Sequence, residues 1–141
     1  MSPPLNSWLI AALCVSVGAA CDRVACSVDG REEVPSPDGR WKAVVFSRNC
    51  TLGREQTAVS ILEPSRQLGS EDPNLLIMTY ADTVLGEQAD AVLESLSLRW
   101  TTDSSISIEY DARAMIYYQV TRLWGLVVTY ATVAPKTGGG S

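Results

Sequence analysis

The chain of 141 residues contains no histidine. That absence removes imidazole activation of a serine or cysteine nucleophile, histidine-ligated zinc and any imidazole proton shuttle. A concentrated positive face is also missing. The Lys and Arg residues, 11 in all, are scattered from Arg23 to Lys136 against 16 Asp and Glu, for a formal net charge of −5. Nucleic-acid binding needs clustered cations to displace condensed counterions. No nucleic-acid partner is therefore expected, and purely electrostatic docking on anionic lipid is disfavoured for the same reason. No cysteines have C-x-x-C spacing, and no S-x-x-K motif occurs, which argues against thiol redox chemistry and a Ser–Lys hydrolase. No convincing amphipathic helix of ten residues is present.

What is present begins at the amino terminus. Residues 1–21 carry no charged side chain, and 8–20 (WLIAALCVSVGAA) are apolar or small. That run is shorter than the roughly 20 residues a membrane-spanning helix requires. It suits the apolar core of a signal peptide, assigned to residues 1–20. Two processing routes fit the small residues that follow. Gly18 and Ala20 suit the −3 and −1 positions of ordinary signal cleavage, which would give a soluble periplasmic or secreted protein. Ala19-Ala20-Cys21 resembles the bacterial lipoprotein processing site, which implies a lipid on Cys21 and a membrane partner reached through that anchor. Asp22 then resembles an inner-membrane retention signal.

The four cysteines bear on this choice. Cys14 leaves with the signal peptide. With lipid on Cys21, Cys26 and Cys50 remain as an even pair, and an oxidising compartment favours a disulfide between them. Closing that loop contributes about 3 kcal/mol in the chain-entropy account. Without lipid on Cys21, one of three thiols is left over.

Residues 21–36 are polar and read as a tether. Residues 37–134 read as a single all-β domain, an antiparallel β-sandwich or open barrel of about six or seven strands. Ser36-Pro37-Asp38-Gly39 fits a type I turn. It opens the β-rich run 41–48 (WKAVVFSR). Residues 56–62 and 75–80 follow as short apolar strands. The clearest pattern is Leu96, Leu98 and Trp100, then a polar turn at 101–104, then Ile106, Ile108 and Tyr110. Period-two alternation on both sides of a turn is a hairpin with one buried face. Residues 115–120 (MIYYQV) and 126–132 (LVVTYAT) read as a closing pair joined around Gly125, both rich in β-branched and aromatic residues. Residues 135–141 read as a flexible tail.

SPDGRWKAVVF resembles the turn-and-strand unit of TolB-type β-propeller repeats, and LRWTTDSSISIEY echoes it. A propeller needs four or more blades of about 40 residues each, so this likeness is turn chemistry. A broader resemblance rests on the Cys21 site together with Ser36–Gly39, VVFxRxC at 44–50, VSIL at 59–62, LRW at 98–100 and IxYDAR at 108–113. Together these resemble a family of small uncharacterised bacterial lipoproteins. The likeness implies envelope localisation, lipid-anchored and facing the periplasm, and carries no implied activity.

No catalytic residue, metal site or cofactor is assigned. Asp82, Glu87, Asp90 and Glu94 form the densest acidic stretch but lack the ligand spacing of a calcium loop, so a solvated loop is expected. Trp41, Trp100, Tyr110, Tyr117, Tyr118 and Tyr130 are expected mostly in the core. Trp124 is the exception, because a hairpin tip buries a large aromatic poorly. Arg122, Leu123 and Trp124 are the candidate partner-binding residues, and Arg113 beside Asp111 is expected as a rim ion pair worth under about 1 kcal/mol. The functional expectation is a non-catalytic envelope binding or accessory module with an envelope protein as partner. The alternatives are a periplasmic inhibitor of a hydrolase and a carboxylate-dependent hydrolase. Intact mass spectrometry of the mature protein is expected to show loss of residues 1–20 and gain of lipid. Cys21→Ser is expected to release the protein from membranes, and a membrane-bound Cys21→Ser variant would contradict the anchor.

Overall fold

Nine strands are formed by the described residues, and each follows from alternation, from burial on both faces or from edge pairing. They are β1 (Cys26–Pro35), β2 (Lys42–Cys50), β3 (Gln56–Leu62), β4 (Leu76–Thr79), β5 (Ser97–Thr102), β6 (Ser105–Asp111), β7 (Met115–Gln119), β8 (Arg122–Leu123) and β9 (Leu126–Val133). The computed structural model describes residues 26–50, 53–69, 73–80 and 96–134. The signal segment, Cys21, Asp22, the acidic stretch at Asp82, Glu87, Asp90 and Glu94, and the tail at 135–141 lie outside the described residues.

The strands form two sheets, ordered β1-β2-β3-β4-β7 and β5-β6-β9-β8. Ala43, Val45, Val59, Ile61, Leu76 and Met78 of the first sheet share one buried cluster with Leu98, Ile106, Ile108, Leu126 and Val128 of the second. The result is the all-β sandwich that the patterning predicts, with no helix among the described residues. Burial of these apolar side chains supplies the main driving force, at roughly 25 cal/mol per Å². Strands β2 and β3 are covered on both faces. Val44, Phe46, Ala58 and Leu62 form a second cluster on the far side of the first sheet, with Val28 and Leu68 packed against it. Double-sided burial explains why VVF in β2 does not alternate with polar residues.

Three expectations are corrected by the pairing. First, most of the segment read as a tether is β1. It pairs antiparallel with β2 from Cys26↔Cys50 to Pro35↔Lys42, with a bulge between Gly30 and Glu32. Its side chains are mostly exposed, so no alternation marks it. A ladder along one edge, a hairpin turn at one end and the Cys26–Cys50 disulfide at the other hold it in place.

Second, residues 115–120 and 126–132 do not pair with each other. Strand β7 joins the first sheet beside β4, whereas β9 lies parallel to β6 in the second. The chain changes sheets at Val120–Thr121. There the Val120 amide donates to the Leu75 carbonyl (3.0 Å), and the Val128 amide donates to the Thr121 carbonyl (2.9 Å). The Tyr130 hydroxyl donates to the Val120 carbonyl at 2.7 Å, with the Leu75 carbonyl at 3.2 Å. Burial pushes this phenol up to about 12.

Third, the expected Asp111–Arg113 ion pair is present, but Asp111 is a buried carboxylate, 2% exposed, and not a rim charge. It ends β6 where the chain crosses to the first sheet. The Arg113 guanidinium reaches both of its oxygens, Nε at 2.9 Å from Oδ1 and Nη2 at 2.7 Å from Oδ2, and the Arg113 amide donates to Oδ1 at 2.8 Å. These bonds hold the Asp111 carboxyl below its ordinary value of 3.8. A lowered folded-state value contributes stability above pH 3.8, and that contribution is lost as the pH falls through the folded value. Asp111→Ala is expected to cost about 1.5–3 kcal/mol at neutral pH, the range for lost charged hydrogen bonds. It should also flatten the loss of stability below pH 3.8. Urea titrations from pH 7 to pH 2 check both, and an unchanged acid limb would contradict this assignment.

Candidate functional site

Strand direction sorts the connections into two ends of the sandwich. Strand β1 runs from Cys26 to Pro35, and β2 returns from Lys42 to Cys50. Trp100, late in β5, donates its indole N–H to the Val34 carbonyl at 2.9 Å, so the β5–β6 turn lies at the Pro35 end. Strands β6 and β9 are parallel from Ser105↔Val127 onward, and the Val127 amide donates to the Ser104 carbonyl at 2.9 Å. The β8–β9 turn therefore lies at the same end. Three turns converge there, and with them Trp41, Trp100 and Trp124.

The β1–β2 turn positions Trp41. The Gly39 amide donates to the Ser36 carbonyl (2.9 Å), and the Ser36 amide donates to the Trp41 carbonyl (2.8 Å). The buried Ser36 hydroxyl accepts from the Trp41 amide (3.0 Å) and donates to Asp38 Oδ1 (2.8 Å). Asp38 Oδ1 also accepts from the Arg40 amide. The Ser36 hydroxyl, then the Arg40 amide, hold the Asp38 carboxyl below its ordinary value. Gly39 has φ +70°, a left-handed conformation that side chains disfavour. The turn read from Ser-Pro-Asp-Gly is therefore present, and it closes a hairpin onto β1.

The β8–β9 turn positions Trp124. Leu123↔Leu126 is the last pair, leaving Trp124-Gly125 as a two-residue loop. Their φ values are +50° and +82°, the double left-handed geometry of a type I′ turn. Asn or Gly ordinarily occupies the first of these places. A bulky residue there costs about 1–2 kcal/mol of backbone strain. Trp124 is nevertheless 59% exposed. Its ring stacks on Trp41, with centroids 5.3 Å apart and planes 17° from parallel.

Of the residues singled out from sequence, Arg122 is exposed, Leu123 packs half-buried against the core cluster, and Trp124 occupies the tip. Trp41 is the partner that sequence reasoning missed. The available signal was its place directly after a strong turn motif. The aromatic expectation is partly corrected. Tyr110 is core, whereas Tyr117 and Tyr118 of edge strand β7 are 63% and 43% exposed. Edge position and the β7 bulge take them off the buried face. A carboxylate hydrolase needs two acids flanking a cleft. The one fully buried carboxylate among the described residues is Asp111, and it is held by Arg113.

No protein-family model, curated protein or solved structure matches the chain.

Open space surrounds the position where a Gly39 Cβ would project, so Gly39→Ala tests the backbone alone. It is expected to cost about 1–2 kcal/mol and to weaken the exciton-coupled circular dichroism band of the Trp41–Trp124 stack. An unaltered band together with an unaltered melting temperature would show that the turn does not position Trp41.

Proposed function

We propose that the protein is a non-catalytic envelope binding module, anchored through lipid on Cys21, that captures a protein partner with the three-turn end of its sandwich. The single observation that carries this reading is Trp124. A large aromatic is held exposed in a strained backbone conformation, where Asn or Gly would form the turn at less cost. Strain at an exposed loop tip is a cost to stability, and its retention is best accounted for by what the side chain contacts. The residue types at this end support the reading. Trp and Arg are enriched among residues that dominate binding energy, and Arg40 directly precedes Trp41 while Arg122 lies two residues before Trp124. Both arginines are exposed. Turns clustered at one end of a rigid sandwich are a common way to present such residues. The absence of histidine adds support, since it removes the most frequent catalytic base.

Trp124→Asn separates binding from folding. The substitution removes an aromatic stack worth about 0.5–1.5 kcal/mol and relieves strain worth about 1–2 kcal/mol. The two cancel to within about 1.5 kcal/mol, so the melting temperature is expected to stay within several degrees. Capture of the crosslinked envelope partner is expected to fall at least tenfold. Wild-type capture by this stable variant would remove Trp124 from the interface, and collapse of the fold would make it structural.

A further inference from the structure

The two ends of the sandwich differ in a way that fixes how an anchored molecule stands on its membrane. Cys26 is the first residue of β1 and is disulfide-bonded to Cys50, the last residue of β2. The opposite end carries Trp41, Trp100 and Trp124. Five chain steps separate Cys21 from Cys26. At 3.3–3.6 Å per residue they reach at most about 18 Å. Strand β1 then runs ten residues, about 30 Å at strand rise.

The disulfide pins the first residue of β1. Strand β1 is an edge strand with mostly exposed side chains, the kind of element that frays from its free end. A covalent bond at its first residue prevents peeling from that end. The charge balance bears on tilt. A net charge of −5 over the full sequence disfavours net attraction to anionic lipid.

We infer that the disulfide end is the foot of the anchored protein and the tryptophan end its head, presented to a protein partner about 30 Å or more above the bilayer. This rests on lipid anchoring at Cys21, as proposed above. The competing occupant is lipid itself, because exposed Trp and Tyr also favour membrane interfaces. Geometry places these indoles at the end opposite Cys26, and the exposed Arg40, directly before Trp41, and Arg122, two residues before Trp124, suit a partner surface bearing carboxylates.

The native fluorophores make a direct test possible. Trp8 leaves with the signal peptide, so all three remaining tryptophans report on the head. The mature lipidated protein is reconstituted into phosphatidylcholine–phosphatidylglycerol vesicles with and without brominated acyl chains. Tryptophan octyl ester in the same vesicles is the quenched control. Flotation and intact mass report the anchor independently. The expected result is a floating, lipid-bearing protein whose tryptophan emission is the same in both vesicles. Emission halved by brominated lipid in a lipidated, floating protein would overturn the orientation and identify lipid as the occupant. A protein that neither floats nor carries lipid would overturn the anchor, and the orientation with it, leaving the Trp124→Asn test of binding intact.

Discussion

The parallel ladder between β6 and β9 is the interaction on which the rest of the structure depends. Parallel neighbours cannot be joined by a tight turn, because the chain must first travel back along the sheet. Here the return passes through the other sheet. After Asp111 the chain crosses over and runs as β7 beside β4. It crosses back at Val120–Thr121 and turns sharply at Trp124-Gly125 to enter β9. This one pairing ties the two sheets together twice through the backbone. It also sets the β8–β9 turn beside the β5–β6 turn.

Each crossing is secured by polar groups inside the protein, where such groups must be satisfied. At one end, Asp111 accepts from the Arg113 amide and guanidinium and fixes the first crossing. At the second crossing, the Tyr130 hydroxyl and the Val120 amide hold residue 120 against Leu75. Apolar burial supplies the driving force for both sheets. These bonds hold the chain at the two places where it changes sheets.

Much of this was legible in sequence. Alternation at 96–110 is unambiguous, and the hairpin appears as read. With lipid on Cys21, cysteine counting left Cys26 and Cys50 as the pair, and these two are bonded. The position of Trp124 at a hairpin tip followed from Gly125. Less was legible where pairing does not leave an alternating trace. Strand β1 is an exposed edge, so its ladder is written in backbone hydrogen bonds that any residue can make. Residues 115–120 and 126–132 both look like strands and belong to different sheets. Asp111 and Arg113 look like surface charges, since local sequence does not show what covers a strand end.

The sequence by itself determined the secondary structure class, the sharp turns at Gly39 and Gly125, and, through its lack of histidine, the absence of imidazole chemistry. These are properties of single residues or of near neighbours, set by backbone sterics and side-chain period. Tertiary structure alone decided that Trp41 meets Trp124, that three turns share one end, and that the disulfide closes the other. Those are consequences of strand order and direction, which depend on contacts between residues far apart in the chain and leave no local pattern to read.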